Sequence, residues 1–146
     1  MRKASEEDSN VWLVRMVFSN HLTDGKDIFP PLNKICQSSG SGHTRGISVY
    51  NMAVCPTTEK AFQHAEQVRR ETPIYAVGIT VGECLEIGTE VWFNHGEGLG
   101  THAYHAFIKT VGDKKSKATQ REDIMTRFIA NGQIGKRDKL PSVMGH

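Results

Sequence analysis

An arginine inside an apolar strand is the first residue here with chemistry to explain. Arg15 is the one charge in VWLVRMVF, residues 11–18. A buried charge needs a partner, so Arg15 must pair with a carboxylate, snorkel to an edge or meet a ligand. Histidines come next. His95, His102 and His105 fall within eleven residues, with Glu97 between them. Imidazole and carboxylate are ordinary zinc ligands, but this spacing is not that of a helical HExxH site. If residues 102–111 form a strand, the odd separation sends His102 and His105 to opposite faces. No metal site is expected, and the plainer reading is a loop His95, an edge His102 and a partly buried, hydrogen-bonded His105. The three cysteines, Cys36, Cys55 and Cys84, form no CxxC pair. A nucleophilic thiol needs a nearby base and a lowered pKa. Nothing in the spacing supplies either, so all three read as small core residues. The run HGEGLG (95–100) echoes a phosphate loop, yet a strand rather than a helix follows it, which favours a plain turn.

The elements that must position these residues are organised around 46–88. GISVYN reads as a strand and residues 57–71 as a helix capped by Thr57 or Thr58. Its apolar stripe is Ala61, Phe62, Ala65 and Val68, and Thr72-Pro73 ends it. Residues 74–80 read as a second strand, paired in parallel with 47–50 through that helix. Thr80-Val81-Gly82-Glu83 has capping-box spacing and opens a short helix closed by Gly88. Residues 11–18 are apolar on both alternating faces and so predict a central, doubly covered strand. Residues 89–93 and 102–111 read as two more strands.

Residues 38–45 and 94–101 are Gly-rich loops. A charged linker, 112–118, leads to a second capping-box match at Thr119-Gln120-Arg121-Glu122. That match predicts a helix to Asn131 with a stripe of Ile124, Met125, Phe128 and Ile129, followed by a tail. The fold class expected is α+β: one compact domain with a central mixed sheet of about five strands, two to three helices and a C-terminal helix. Its parts are a flexible 1–10, a core 11–111 and a basic helix and tail 112–146.

Composition narrows function without naming it. The chain has 146 residues, 38% hydrophobic and 23% charged, with a formal net charge of +2, ordinary values for one globular domain. Basic residues crowd 109–139, so nucleic acid could be met through Lys114, Lys115, Lys117 and Arg121. The N-terminus is polar, no apolar run approaches the ~20 residues of a membrane helix, and the odd cysteine count suits a reducing compartment. The expectation is a soluble, cytoplasmic protein.

Two resemblances add to this. Ile47-Ser48-Val49-Tyr50, the helix after it, residues 76–88 and His105-Ala106-Phe107-Ile108 together look like a group of small bacterial proteins. That resemblance covers roughly 12–108 and implies a prokaryotic origin and one domain, with no activity attached. The order Arg15, then Ser48 and Tyr50, then Glu97 or His105 resembles the pattern of the ADP-ribosyltransferase fold, which implies NAD as cofactor. Under it, Arg15, Tyr50 and His105 are candidate catalytic residues, and Ser48 and Glu97 candidate cofactor contacts. The leading expectation is nevertheless an accessory module of a toxin, immunity or defence gene set. It would bind a partner protein through Ile124, Met125, Phe128 and Ile129. The NAD enzyme and nucleic-acid binding are the alternatives.

Overall fold

Residues 12–17 alternate large apolar side chains to both sides of an extended backbone, and the sheet is built outward from them. In a computed structural model, which describes residues 2–21, 35–38, 45–93 and 103–140, seven strands form one sheet. They are β1 (Arg2–Lys3), β2 (Trp12–Val17), β3 (Ile47–Asn51), β4 (Tyr75–Thr80), β5 (Glu90–Phe93), β6 (His105–Lys109) and β7 (Gln133–Ile134). Their spatial order is β1-β5-β6-β3-β2-β4-β7. The helices are α1 (Thr58–Arg69), α2 (Val81–Ile87) and α3 (Lys114–Asn131). The α+β class and the single domain stand as expected.

The sheet departs from expectation in direction. Every pairing is antiparallel, so it is not mixed. The expected parallel pairing of β3 with β4 does not form, because β2 lies between them and runs antiparallel to both. The doubly apolar β2 takes an interior position between β3 and β4, where two neighbours satisfy its backbone and two layers cover its faces.

The register sorts the side chains. Leu13, Arg15 and Val17 share a face with Ile79, Val77 and Tyr75, and with Asn51 by pairing. Onto this face pack Val81 and Cys84 of α2 and Ile124 and Phe128 of α3. The opposite face carries Val14 and Met16, against which α1 lays Ala61, Phe62 and Ala65. Val68, expected on that stripe, is 66% exposed: α1 ends at Arg69, with Arg70 turned left-handed as its cap, before the stripe can close over the sheet. Gly78 leaves room on this face for the Trp12 ring and Ile134, since a Cβ there would meet Ile134 Cδ1 at 2.9 Å and Trp12 at 3.2 Å.

Local capping follows the sequence closely at α2. Thr80 and Glu83 cap each other reciprocally and Gly88 closes the helix with φ 101°. The α3 start does not follow it. Asp113 is the N-cap, accepting from Ser116 N at 2.8 Å, so α3 begins five residues before the Thr119 motif and absorbs the expected linker. Gln120 is spent elsewhere, donating to Val111 O and accepting from Val111 N, both at 2.9 Å. The tail is also structured as far as it is described. Ile134 is buried on the sheet edge, and the Thr58 hydroxyl donates to Lys136 O at 3.2 Å and to Asp138 O. Among the described residues no helix is long and apolar enough to cross a membrane.

The burial of α3 overturns the docking surface expected for it. Ile124 and Phe128 are 0% exposed, and Met125 packs half-buried against the same core, so the centre of the stripe is interior. Ile129 alone of the four is exposed. Removing a buried phenyl costs about 3–5 kcal/mol. Phe128→Ala should therefore lower the urea midpoint strongly, whereas Ile129→Ala should leave it within about 0.5 kcal/mol of the parent. Equal effects of the two in equilibrium unfolding would contradict this placement.

Candidate functional site

The functional candidates divide between the two faces of the sheet. On the α1 face, β3 and β6 pair Tyr50 with His105 and Ser48 with Phe107. Ser48 and His105 are thus diagonal neighbours across the ladder, a separation that a long side chain spans. The imidazole reaches it: His105 Nε2 lies 3.0 Å from Ser48 Oγ. Beside this pair, Tyr50 Oη lies 2.7 Å from His64 Nδ1 of α1. His64 meets Tyr50 and Tyr104 edge-on, with ring centroids 5.6 and 5.8 Å apart. All five side chains are half-buried.

Burial sets the protonation of this cluster. Desolvation pushes the Tyr50 phenol well above its ordinary value, so it keeps its proton and is able to donate to His64 Nδ1. Desolvation likewise lowers His64 and His105 below the ordinary histidine value, because a half-buried imidazolium is poorly solvated. With His105 neutral, Nε2 and the Ser48 hydroxyl share this hydrogen bond, and the tautomer with Nε2 unprotonated is the one in which Ser48 donates.

Arg15 lies on the other face. Its Nε donates to Ile35 O at 3.2 Å and Nη1 to Ser48 O at 2.9 Å. It therefore touches the backbone of Ser48 while the Ser48 hydroxyl points to the α1 side. The three catalytic candidates thus do not converge: Tyr50 and His105 are neighbours, and Arg15 is separated from them by the sheet itself. Glu97, the second cofactor candidate, lies outside the described residues, as do His43, His95, His102 and most of both Gly-rich loops. Among the described residues no group of three His, Cys, Asp or Glu side chains is placed to hold a metal.

All three cysteines are buried. Burial pushes Cys36 and Cys84 up to about 12 and raises Cys55 as well, so each is a neutral thiol and a poor nucleophile. Of the basic residues offered for nucleic acid, Lys114 and Lys115 are exposed, and Lys117 and Arg121 are half-buried.

Sequence reasoning named Ser48, Tyr50 and His105 but passed over His64 and Tyr104. A signal for His64 existed: it sits between Ala61 and Ala65 at the border of the α1 stripe, where a polar ring can face the sheet edge. No protein family, curated protein or solved structure matches this chain.

The lowered histidines make stability pH-dependent with a definite sign. A histidine whose folded pKa lies below its unfolded value of about 6.5 binds protons preferentially when unfolded. Its contribution is complete above about pH 6.5 and is lost as pH falls through the lower folded value. Asp8, Glu90 and Asp113 also have lowered values, but they act below the ordinary carboxylate range of about 4. Urea midpoints should therefore fall between pH 7 and pH 5, and the fall should shrink in His105→Gln. A flat midpoint across that range would refute the neutral, desolvated assignment of His105 and His64.

Proposed function

We propose that this chain is a small enzyme of the hydroxyl-nucleophile class, in which Ser48 attacks an activated acyl group and His105 is its base. One observation carries the reading, the 3.0 Å contact between Ser48 Oγ and His105 Nε2, which is the reach required of a nucleophile and its base. Two more support it. The lowered pKa of His105 keeps the imidazole able to accept a proton at neutral pH. Neither side chain is fully buried.

The step runs as follows. As Ser48 Oγ bonds to the acyl carbon, its proton passes to His105 Nε2. The leaving group then departs with that proton. Water, deprotonated by the same nitrogen, releases the acid and restores Ser48. Phe107, ring to ring with His105 at 6.1 Å, limits how far the imidazole can swing.

We favour this reading over the NAD enzyme and the partner-binding module expected from the sequence. An ADP-ribosyltransferase site would require Arg15 and Tyr50 to act on one NAD molecule, whereas their side chains leave the sheet on opposite sides. The partner-binding module loses the α3 stripe to the core.

A fluorophosphonate probe reports a nucleophilic serine directly. At pH 7.5 the folded protein should be labelled on Ser48, and Ser48→Ala should abolish the adduct. His105→Gln should slow labelling by roughly 10²-fold or more while remaining folded by circular dichroism, the usual worth of a positioned base. Unlabelled wild-type protein, or labelling indifferent to His105, would sink the proposal.

A further inference from the structure

Just past β2 the backbone of Phe18 and the ring of His21 close on each other. Ser19–His21 is a single 3₁₀ turn. The His21 N–H donates to Phe18 O at 2.9 Å. In return the Phe18 N–H donates to His21 Nδ1 at 3.0 Å. That second bond locates a proton, because a backbone N–H can only donate. Nδ1 therefore carries no hydrogen while the turn is closed, and the ring is the neutral Nε2–H tautomer. His21 is 8% exposed and Phe18 4%, so little water reaches either partner.

This buried bond decides whether the turn stays against α1. Ser19 Oγ donates to Glu71 Oε1 at 2.7 Å and Arg69 Nη2 to Asn20 Oδ1 at 3.4 Å, both in exposed positions. Exposed polar contacts of this kind contribute little. Arg69 also stands over the Phe18 ring, 4.3 Å from its centroid, and the His21 ring lies 6.1 Å from that centroid. A proton on Nδ1 would set two donors against each other and leave the Phe18 N–H buried without an acceptor. It would also bring a second cation to a ring that Arg69 already covers. The charged groups facing the turn from the end of α1 are thus Arg69, which opposes the imidazolium, and Glu71, which favours it from an exposed position. From β4 the nearest titratable side chain, Tyr75, shares the opposite face of the sheet with Val17.

We propose that the Phe18–His21 turn is a pH-operated latch. With His21 neutral, it fastens the end of β2 to the end of α1. A proton taken from water onto Nδ1 breaks the Phe18 bond, frees residues 19–21 and uncovers the Phe18 ring. The closed turn holds one proton fewer than the open one, so it is favoured at high pH. Release sets in below about pH 6.5, where an ordinary histidine takes up its proton. The latch is independent of Ser48 and His105.

The test is imidazole nitrogen NMR with amide hydrogen exchange on the isotope-labelled full chain. At pH 7.5, His21 Nδ1 should resonate as an unprotonated nitrogen and Nε2 as a protonated one. Between pH 7.5 and pH 5.5 the protection factor of the Phe18 amide should fall roughly tenfold more than that of Val14 in β2, the loss of one buried hydrogen bond by local opening. His21→Asn offers an amide oxygen near the place of Nδ1 and does not titrate. In that variant Phe18 should follow Val14 across the range. If the variant does not fold, the wild-type tautomer and exchange decide by themselves. A proton on Nδ1 at pH 7.5, a wild-type Phe18 amide that merely tracks Val14, or an unaltered pH dependence in folded His21→Asn would overturn the latch.

Discussion

Burial of both faces of Trp12–Val17 is the constraint on which the other elements depend. Leu13, Val14 and Val17 are 0% exposed, and they point in both directions from one strand. Such a strand is stable only between two neighbours and under two layers. The antiparallel partners β3 and β4 supply the hydrogen bonds, α1 supplies one layer, and α2 with α3 the other. This explains why β3 and β4 are not adjacent although one helix joins them. The strand with the greatest apolar demand lies between them, and the connection through α1 passes over it. It also explains why α3, which read as an appendage, is core. The α2/α3 face of β2 and β4 would otherwise be open, and Ile124 and Phe128 are what closes it. An ionic and polar clasp fixes the two helices in place: Arg127 reaches Glu83 at 3.3 Å and Glu86 at 3.0 Å, and Asn131 bridges Gly78 O and Glu83, both at 3.0 Å.

Where local chemistry decided the outcome, the sequence was legible. The five longer strands and the α2 caps follow from alternation, β-branched content and the Thr80–Glu83 spacing, all of which act within a few residues. Direction and neighbour order were not legible, because a helical crossover permits a parallel pair without requiring it. The α3 start was misplaced because two capping signals compete there. Asp113 and Thr119 are both competent N-caps; the earlier one takes the role, and the Thr119 hydroxyl donates back to Lys115 O at 3.2 Å inside the helix. The two-residue strands β1 and β7 are too short for any periodicity to show.

The site was partly legible for a related reason. Ser48, Tyr50 and His105 are polar residues in otherwise apolar strands, which makes them conspicuous in one dimension. Which of them share a face depends on register, and register is a tertiary property. Arg15 was conspicuous on the same ground, yet its parity in β2 placed it across the sheet from the others. His64 was hidden because a histidine on a mostly polar helix surface raises no conflict with its neighbours. Only the approach of Tyr50 from the sheet reveals it.

Ser48 joins the two sides of the sheet. Its carbonyl accepts from Arg15 on one face and its hydroxyl meets His105 on the other. A strand residue normally spends its carbonyl on a neighbouring strand. Here a side-chain cation takes part in that role, and a charged donor makes a stronger bond than an amide does. The Arg15 contact therefore restrains the backbone from which the Ser48 hydroxyl projects.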